Sequence, residues 1–549
     1  MKLRTSSFKT ALLKDITRFA PAWALYLVGI LLLMLSYTSA SSNVRVAESL
    51  GDSLMFMGII NALYAGLCAQ LLFGDLFNTR MCNAIHAMPL RREAWFLSHI
   101  IAGLSFSLVP NAVCALAMLE RLGEYGYIAL FWLAGTTMEY LFFFGLAVLS
   151  CLCSGNRFAM AAVYGITNFA SMLVFWFVNT IYGPLLYGIS ISEKPFVNFS
   201  PVVKLAGNRV FLKFSIPGSP AFTGFGEDWN YLWIIAGVGI LLLGGALLLY
   251  RRRKLESAGD FLSVRWLEPV FSAVYTLTVA ALLEIFGELF GNSGTVFFIV
   301  GFFVGFFTGQ MLLKRTIKVF TGRAILGMVL LGAVLAGSIG LTAWDPLGIT
   351  RFVPEKEDIR SASISNGTTD WSPKNWMELT EDGDIETIRR LHRERVTNRY
   401  VSSGQNADIA IRYQLKNGRT FTRYYRVSAD AVRKLFSQPE YVLEADSIEK
   451  VLERWPNAEI DGQKLSKVDT QSLLHAVFAD CAAGTMAQDW DFHVQDGSFK
   501  VFIGLWGKDR SEYLDLRVFG DAANTIAWLK ENFELWADED LTMENYFGK

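Results

Sequence analysis

YLWIIAGVGILLLGGALLLYRRRK, residues 231 to 254, decides the fold class. Its first twenty residues carry no formal charge and are long enough, as a helix, to cross about 30 Å of hydrocarbon. The four cations at its end, Arg251, Arg252, Arg253 and Lys254, have no place in that hydrocarbon and mark where the span ends. Eight more windows of this kind are centred in 20–38, 53–73, 94–118, 127–152, 158–183, 267–288, 295–313 and 324–344, and none lies beyond Trp344. The sequence therefore predicts a polytopic α-helical membrane protein of about nine transmembrane helices.

Lys and Arg accumulate in short cytoplasmic loops, so their placement orients the chain. With the N-terminus inside, the internal segments hold 18 of them and the external loops before Trp344 hold 6, namely Arg45, Arg121, Lys194, Lys204, Arg209 and Lys213. This orients the N-terminus to the cytoplasm and, after nine crossings, the C-terminus outside. The first apolar run resembles a signal peptide with Thr38-Ser39-Ala40 as its cleavage site. Its basic leader is long, however, and Phe8, Leu12, Leu13, Ile16 and Phe19 give residues 8–19 the spacing of a helix lying at the interface, while cleavage would leave the later topology unchanged.

Residues 345–549 have ordinary soluble composition, with 26 Lys and Arg against 35 Asp and Glu. Such an acidic module lacks the basic patch that nucleic-acid binding needs. Cys481 is its one cysteine, so it forms no internal disulfide; Cys68, Cys82, Cys114, Cys151 and Cys153 lie in or beside spans and read as small apolar side chains. Within it, Ile409, Ile411, Tyr413 and Leu415 alternate ahead of Lys416-Asn417-Gly418, and a Thr- and Tyr-rich run comes next. This is a hairpin leading into a helix. Residues 499–533 repeat the order around Gly507-Lys508-Asp509, with Ile526, Leu529 and Phe533 on a helix face. Helical spacing precedes each hairpin, in 384–396 and 469–481. Two readings fit an extracytoplasmic α+β domain here: two α-β-β-α units, or one sheet domain with two ordinary hairpins.

Catalytic motifs are scarce. GLWGKDR, 504–510, has neither the glycine spacing nor the Ser/Thr of a phosphate loop. His86, His99, His392, His475 and His493 include no pair at ligand spacing, and the reading assigns most of them to surface or partly packed positions. No catalytic residue, cofactor or metal is expected, and any ATP hydrolysis belongs to another chain.

One stretch interrupts the membrane pattern: FGDLFNTRMCNAIHAMPLRREAWF, 73–96. Gly74-Asp75 breaks the second span and Pro89 closes the short segment after it, in which Phe77, Met81, Ala84, Ile85 and Met88 recur at helical spacing. Asn78, Arg80, Asn83 and His86 occupy the other faces, and Asp75 and His86 have signs that suit the ends of a helix, His86 when protonated. Spacing alone fits equally a helix docking on a soluble partner and an interfacial helix whose Arg91 and Arg92 hold topology. Inside the spans, Glu139 stands out because a carboxylate at mid-depth is costly. It has no Lys or Arg at its depth, and a structural hydrogen bond and a translocation role both fit, as they do for Asn168 and Asn179. Glu284 and Glu288 read as lying near external water, and Pro110 as a kink.

FGDLFNTRMCNAIHAMPLRRE is similar to the span-loop-span feature of permease subunits of bacterial type-2 ATP-binding-cassette exporters, and EYLFFFGLAVLSCLCSGNRFA, 139–159, resembles the end of their fourth span, where Gly155-Asn156 makes a tight internal turn. The likeness covers roughly residues 1–250, including the amphipathic start and a long external segment at 184–228. It implies a bacterial plasma-membrane permease core in 1–250, with a coupling helix at 75–92 whose Asp75, Phe77, Asn78, Arg80, Met81, Asn83, Ile85, His86, Arg91 and Arg92 meet a separate ATPase subunit. It also implies a second permease subunit, identical or related, and export of a substrate. The chain departs from the six-span pattern by three added helices in 251–344 and the domain in 345–549.

Overall fold

The computed structural model describes residues 5–38, 43–86, 91–207, 211–214, 222–253, 258–291, 293–366, 376–379, 382–399, 406–460, 462–488, 499–507 and 513–532. Of the positions singled out above, Ser39, Ala40, Met88, Pro89, Arg209, Lys254, His493, Lys508, Asp509 and Phe533 lie outside these residues. The chain divides into two compact units, one of Met1–Tyr182 with Ser192–Ile339, the other of Gly183–Ile191 with Gly340–Lys549.

The first unit opens with α1 (Thr5–Arg18), α2 (Ala20–Thr38) and α3 (Asn43–Leu72), then a 3-10 turn (Gly74–Phe77) and α4 (Thr79–His86). It continues through α5 (Arg92–Leu122), α6 (Tyr127–Cys153), α7 (Arg157–Tyr182), the short α8 (Lys194–Asn198) and α9 (Pro201–Ala206), and the hairpin β1 (Leu212–Phe214)–β2 (Phe222–Phe225). Four long helices close it: α10 (Trp229–Arg252), α11 (Leu267–Leu289), α12 (Gly294–Lys314) and α13 (Gly322–Trp344). Among the described residues, nine helices are long and apolar enough to cross a membrane, and all nine coincide with the windows read from the sequence. Outward side chains such as Leu25, Leu63, Leu241 and Val334 are more than two-thirds exposed, as contact with hydrocarbon would require.

Helix α6 is the core of the bundle, the most buried of the nine. Close approach explains how. A Cβ on Gly145 would lie 2.7 Å from the Gly239 carbonyl oxygen, and one on Gly239 would lie 2.8 Å from the Leu141 oxygen, so α6 and α10 cross backbone on backbone. The α11–α12 hairpin uses the same device. Gly301 and Gly305, one turn apart, leave no room for a side chain against Ala280 and Thr276.

The second unit is built twice. Its first module runs β3 (Ile359–Asn366), β4 (Met377–Leu379), α14 (Asp382–Thr397), β5 (Asn406–Leu415), β6 (Thr420–Ser428) and α15 (Ala429–Phe436). After α16 (Pro439–Val442) and α17 (Ile448–Arg454), its second runs β7 (Asn457–Ile460), β8 (Gln463–Lys464), α18 (Lys467–Ala483), β9 (Phe499–Trp506), β10 (Tyr513–Phe519) and α19 (Ala523–Asn532). The strand orders correspond, β4-β3-β5-β6 and β8-β7-β9-β10, and every pairing is antiparallel. Each module has its own apolar core. The expected α-β-β-α order is present in both, as α14-β5-β6-α15 and α18-β9-β10-α19, and each is the back part of a longer β-β-α-β-β-α module. The missed strands are short or serine-rich, so they carry little of the apolar alternation that marks a strand.

The outer edge of each sheet's last strand is occupied. On β6, Tyr424 N donates to the Gly188 carbonyl at 3.0 Å, Tyr187 packs on Tyr425, and Arg399 lies over the Tyr187 ring. Gly188 has φ 77°, and a side chain there would strike Tyr425. On β10, the Gln488 amide accepts from Arg517 N and donates to Arg517 O, standing in for a neighbouring strand. The segment 183–191, which links α7 to α8, thus belongs to the second unit.

Of the three histidines whose side chains are described, His475 is exposed as expected, while His99 and His392 are buried. His392 Nδ1 lies 3.2 Å from the Tyr413 hydroxyl, with Tyr425 beside it. Burial, aided by the nearby Arg423 charge, pulls its pKa down to about 3 from 6.5. Because the unfolded chain binds this proton more readily, the stability contributed by the neutral ring is complete above about pH 6.5 and declines as pH falls toward 3. Protection factors of β5 and β6 amides, corrected for intrinsic exchange, are expected to drop by up to about tenfold per pH unit across that window. His392→Gln should flatten the slope.

Candidate docking helix and its anchor

Helix α4 forms where α3 gives out. Phe73 N still bonds to Ala69 O, after which Leu76 N turns onto Phe73 O and the chain tightens into the 3-10 turn. Asn78 then goes extended, and its side-chain oxygen accepts from Arg80 N and Met81 N at 3.0 and 3.4 Å, which caps α4. Asp75 therefore sits in the preceding turn and not at the helix start, a correction to the sequence reading. Phe77, expected on the helix's apolar face, lies in the same turn, half-buried against the bundle core beside the buried Leu76.

On α4 itself only Cys82 is buried among the side chains described, while Arg80, Met81, Asn83 and Ala84 are exposed, as is Asn78 ahead of it. Met81 is 41% exposed, an apolar side chain turned outward on a largely polar helix. The side chains of Ile85 and His86 lie outside the described residues. Arg91 is the exposed residue before α5 and Arg92 opens that helix, half-buried.

Beside the core contacts of Leu76, Phe77 and Cys82, the turn ahead of α4 is tied to the bundle by Arg253, the residue after α10. Its Nη1 donates to the Cys151 and Leu152 carbonyls at 2.8 and 3.0 Å, and its Nη2 to the Ser154 carbonyl at 2.8 Å and the Leu76 carbonyl at 3.3 Å. One guanidinium thus satisfies the last carbonyls of α6, where a cation is favoured, and also grips the turn ahead of α4. Burial draws the Arg253 pKa below its ordinary value, with nearby Asp75 among the groups opposing that shift, and the group stays charged.

Around this clamp two loops are zipped together. Gly155 N donates to Phe261 O, Gly259 N to Gly155 O and Ser263 N to Cys153 O. Asn156 caps α7 through Ala159 N at 2.8 Å and donates to Asp260 O. The Gly155-Asn156 turn therefore joins the first six long helices to the last three. At the same end Asp15 of α1 meets His99 of α5 at 2.7 Å, both buried, and Arg251 pairs with Glu93 at 3.4 Å.

Glu139 is fully buried and accepts from Asn61 Nδ2 at 2.9 Å. The Asn61 oxygen accepts from the Tyr26 hydroxyl, which accepts in turn from Asn111 Nδ2, itself bonded to Ser107. Tyr26 stacks on Tyr64 at 4.0 Å. This polar network ties α2, α3, α5 and α6 at one level. Asn168 and Asn179 do not join it: Asn168 is buried and bonds within its own helix to Tyr164 O, while its carbonyl accepts from Ser200, and Asn179 is exposed. Sequence reasoning missed Asn61, Asn111 and Asp15, although a polar residue within an apolar window is the same mark that singled out Glu139.

Among the described residues, no group of three or more His, Cys, Asp and Glu side chains is placed to hold a metal ion. No family model, curated protein or solved structure matches this chain.

Arg253→Gln leaves up to four buried carbonyls short of a donor and should cost on the order of 2–4 kcal/mol. Arg251→Gln, which breaks only the half-exposed pair with Glu93, should cost less than about 1 kcal/mol. Thermal unfolding midpoints of the two variants in detergent compare these losses directly.

Proposed function

We propose that this chain is the membrane subunit of an ATP-driven complex, a permease of the ATP-binding-cassette exporter type, with α4 as the helix on which a separate ATPase docks. The observation that carries the reading is the combination of an outward-facing α4, with Met81 and Arg80 exposed, and a turn beneath it that is packed on the core through Leu76 and hydrogen-bonded to Arg253. A helix offered to a partner transmits force only if its base does not yield. Here a push on α4 reaches Leu76, then the guanidinium, then the end of α6, the most buried helix of the bundle.

The charge bias supports an α4 on the cytoplasmic side, where ATP is, and a second unit outside a bacterial plasma membrane. In this reading two permease subunits, identical or related, enclose a pathway whose opening alternates with nucleotide state, and the chain exports a substrate. Glu139 with Asn61 acts as a hydrogen-bonded tie among helices in that cycle.

A second reading keeps the ATPase but moves no solute: bundle motion is transmitted to the second unit, which acts on an external partner such as a cell-wall enzyme or an antimicrobial peptide. The observation favouring it is that segment 183–191, between α7 and α8, is packed into the first module through Gly188 and Tyr187.

Replacing Arg80 with Glu and Met81 with Asp together should lower recovery of a co-purifying ATP-binding-cassette subunit at least about tenfold, while insertion of the chain is unchanged. Undiminished recovery would count against docking at α4. The two readings separate on removal of residues 351–549. Export predicts residual ATP-dependent movement of solute in proteoliposomes, and transmission predicts loss of every activity.

A further inference from the structure

Not every cation at the α4 end of the bundle is used. Arg251 is paired with Glu93 and Arg253 is spent on carbonyls. Arg252, Arg265, Lys314 and Arg315 make no ion pair or side-chain hydrogen bond among the described residues. Their placement is not scattered, because all four line one cavity of about 630 Å³ between the end of α10, the loop 258–266 and the end of α12. Asp260 and Glu268 line it as well.

Cations in the last turns of α10 and α12 are expected from helix dipoles and topology alone. Those causes do not bring four exposed cations from three segments to the rim of one half-open pocket. Two backbone features shape this one. Arg315 ends α12 in a left-handed conformation, φ 53°, and Gly259, φ 99°, lets the opposite loop approach until a Cβ there would lie 3.9 Å from Arg315 Nη1.

The level of the cavity narrows the ligand. It lies where three apolar helices end or begin, and around it Trp266, Ile317 and Phe320 are each at least 65% exposed. Large apolar and aromatic side chains turned outward beside basic ones are the pattern of a membrane–water interface. A basic pocket between spanning helices at that depth suits a lipid phosphate.

We infer that the cavity lined by Arg252, Arg265, Lys314 and Arg315 binds the headgroup of an anionic glycerophospholipid, its phosphodiester held by the cations and its glycerol hydroxyls donating to Asp260 and Glu268. The two carboxylates disfavour a small, multiply charged free anion, which would face them without a hydroxyl to offer. The volume lies within the range of small-molecule sites. The lipid seats against the loop that carries Gly259 and Phe261, and so braces the zipper to Gly155.

The test is native mass spectrometry of the full-length chain in detergent, with phosphatidylglycerol, phosphatidylcholine of the same acyl chains, or inorganic phosphate added. Phosphatidylglycerol adducts are expected to persist where phosphatidylcholine is lost, and Arg252→Gln with Arg315→Gln should reduce them at least about tenfold. Lys318→Gln with Arg323→Gln, which removes two cations outside the cavity, should leave them in place. If the first pair is not recovered folded, Arg265→Gln with Lys314→Gln carries the same expectation. Equal retention of both lipids, or equal loss in cavity and control variants, overturns the site. Displacement of the lipid by inorganic phosphate at equal concentration overturns the lipid assignment.

Discussion

The first unit depends on one guanidinium. Arg253 reaches four carbonyls belonging to two places that are remote in sequence, the end of α6 and the turn after α3. Helix ends leave carbonyls without partners, and at a bundle end crowded by loops water has little access to them. A residue placed just beyond α10, with five donors in a planar fork, meets this need in a way that a lysine's single ammonium would not. The loops 153–156 and 258–263 then pair around it, and α4 follows a turn bonded to the same guanidinium.

How much of this is legible in the sequence depends on what each feature needs. The nine long helices are legible because a twenty-residue apolar window is a property of the segment itself. α14 and α18, and the hairpins β5–β6 and β9–β10, are legible because their periodicity is strong. β4 and β8, at three and two residues, are not, since they exist only by pairing with β3 and β7. The site divides in the same way. Spacing alone marks Asn78, Arg80 and Met81, but the cap of α4 is Asn78 and not Asp75, and Phe77 is part of the anchor. In the sequence Arg253 is one cation among several at the end of a span. Its role rests on carbonyls about 100 residues away in sequence at the end of α6 and 177 away at Leu76, and no local pattern records that.

The duplicated modules extend the point. Their common strand order is half visible, as two hairpins each leading into a helix, because the second hairpin and helix carry the stronger apolar alternation. The first strand pair of each is held by its neighbour, as Ile364 is by Ile411 and Ile460 by Ile503. Separate cores make each module a self-contained packing problem.

The strap at 183–191 has a consequence for how this protein can be taken apart. An open sheet edge is a template for further strands. In the intact chain the β6 edge receives the Gly188 carbonyl, and Tyr187 covers Tyr425. A fragment beginning at residue 345 retains every strand seen among the described residues of the second unit yet lacks that cover, and so presents a bare backbone edge flanked by aromatic rings. Such a fragment is inclined to pair edge to edge with its own copies. In chain topology, the second unit is not a C-terminal appendage, because part of its surface is encoded some 150 residues upstream, between two helices of the bundle.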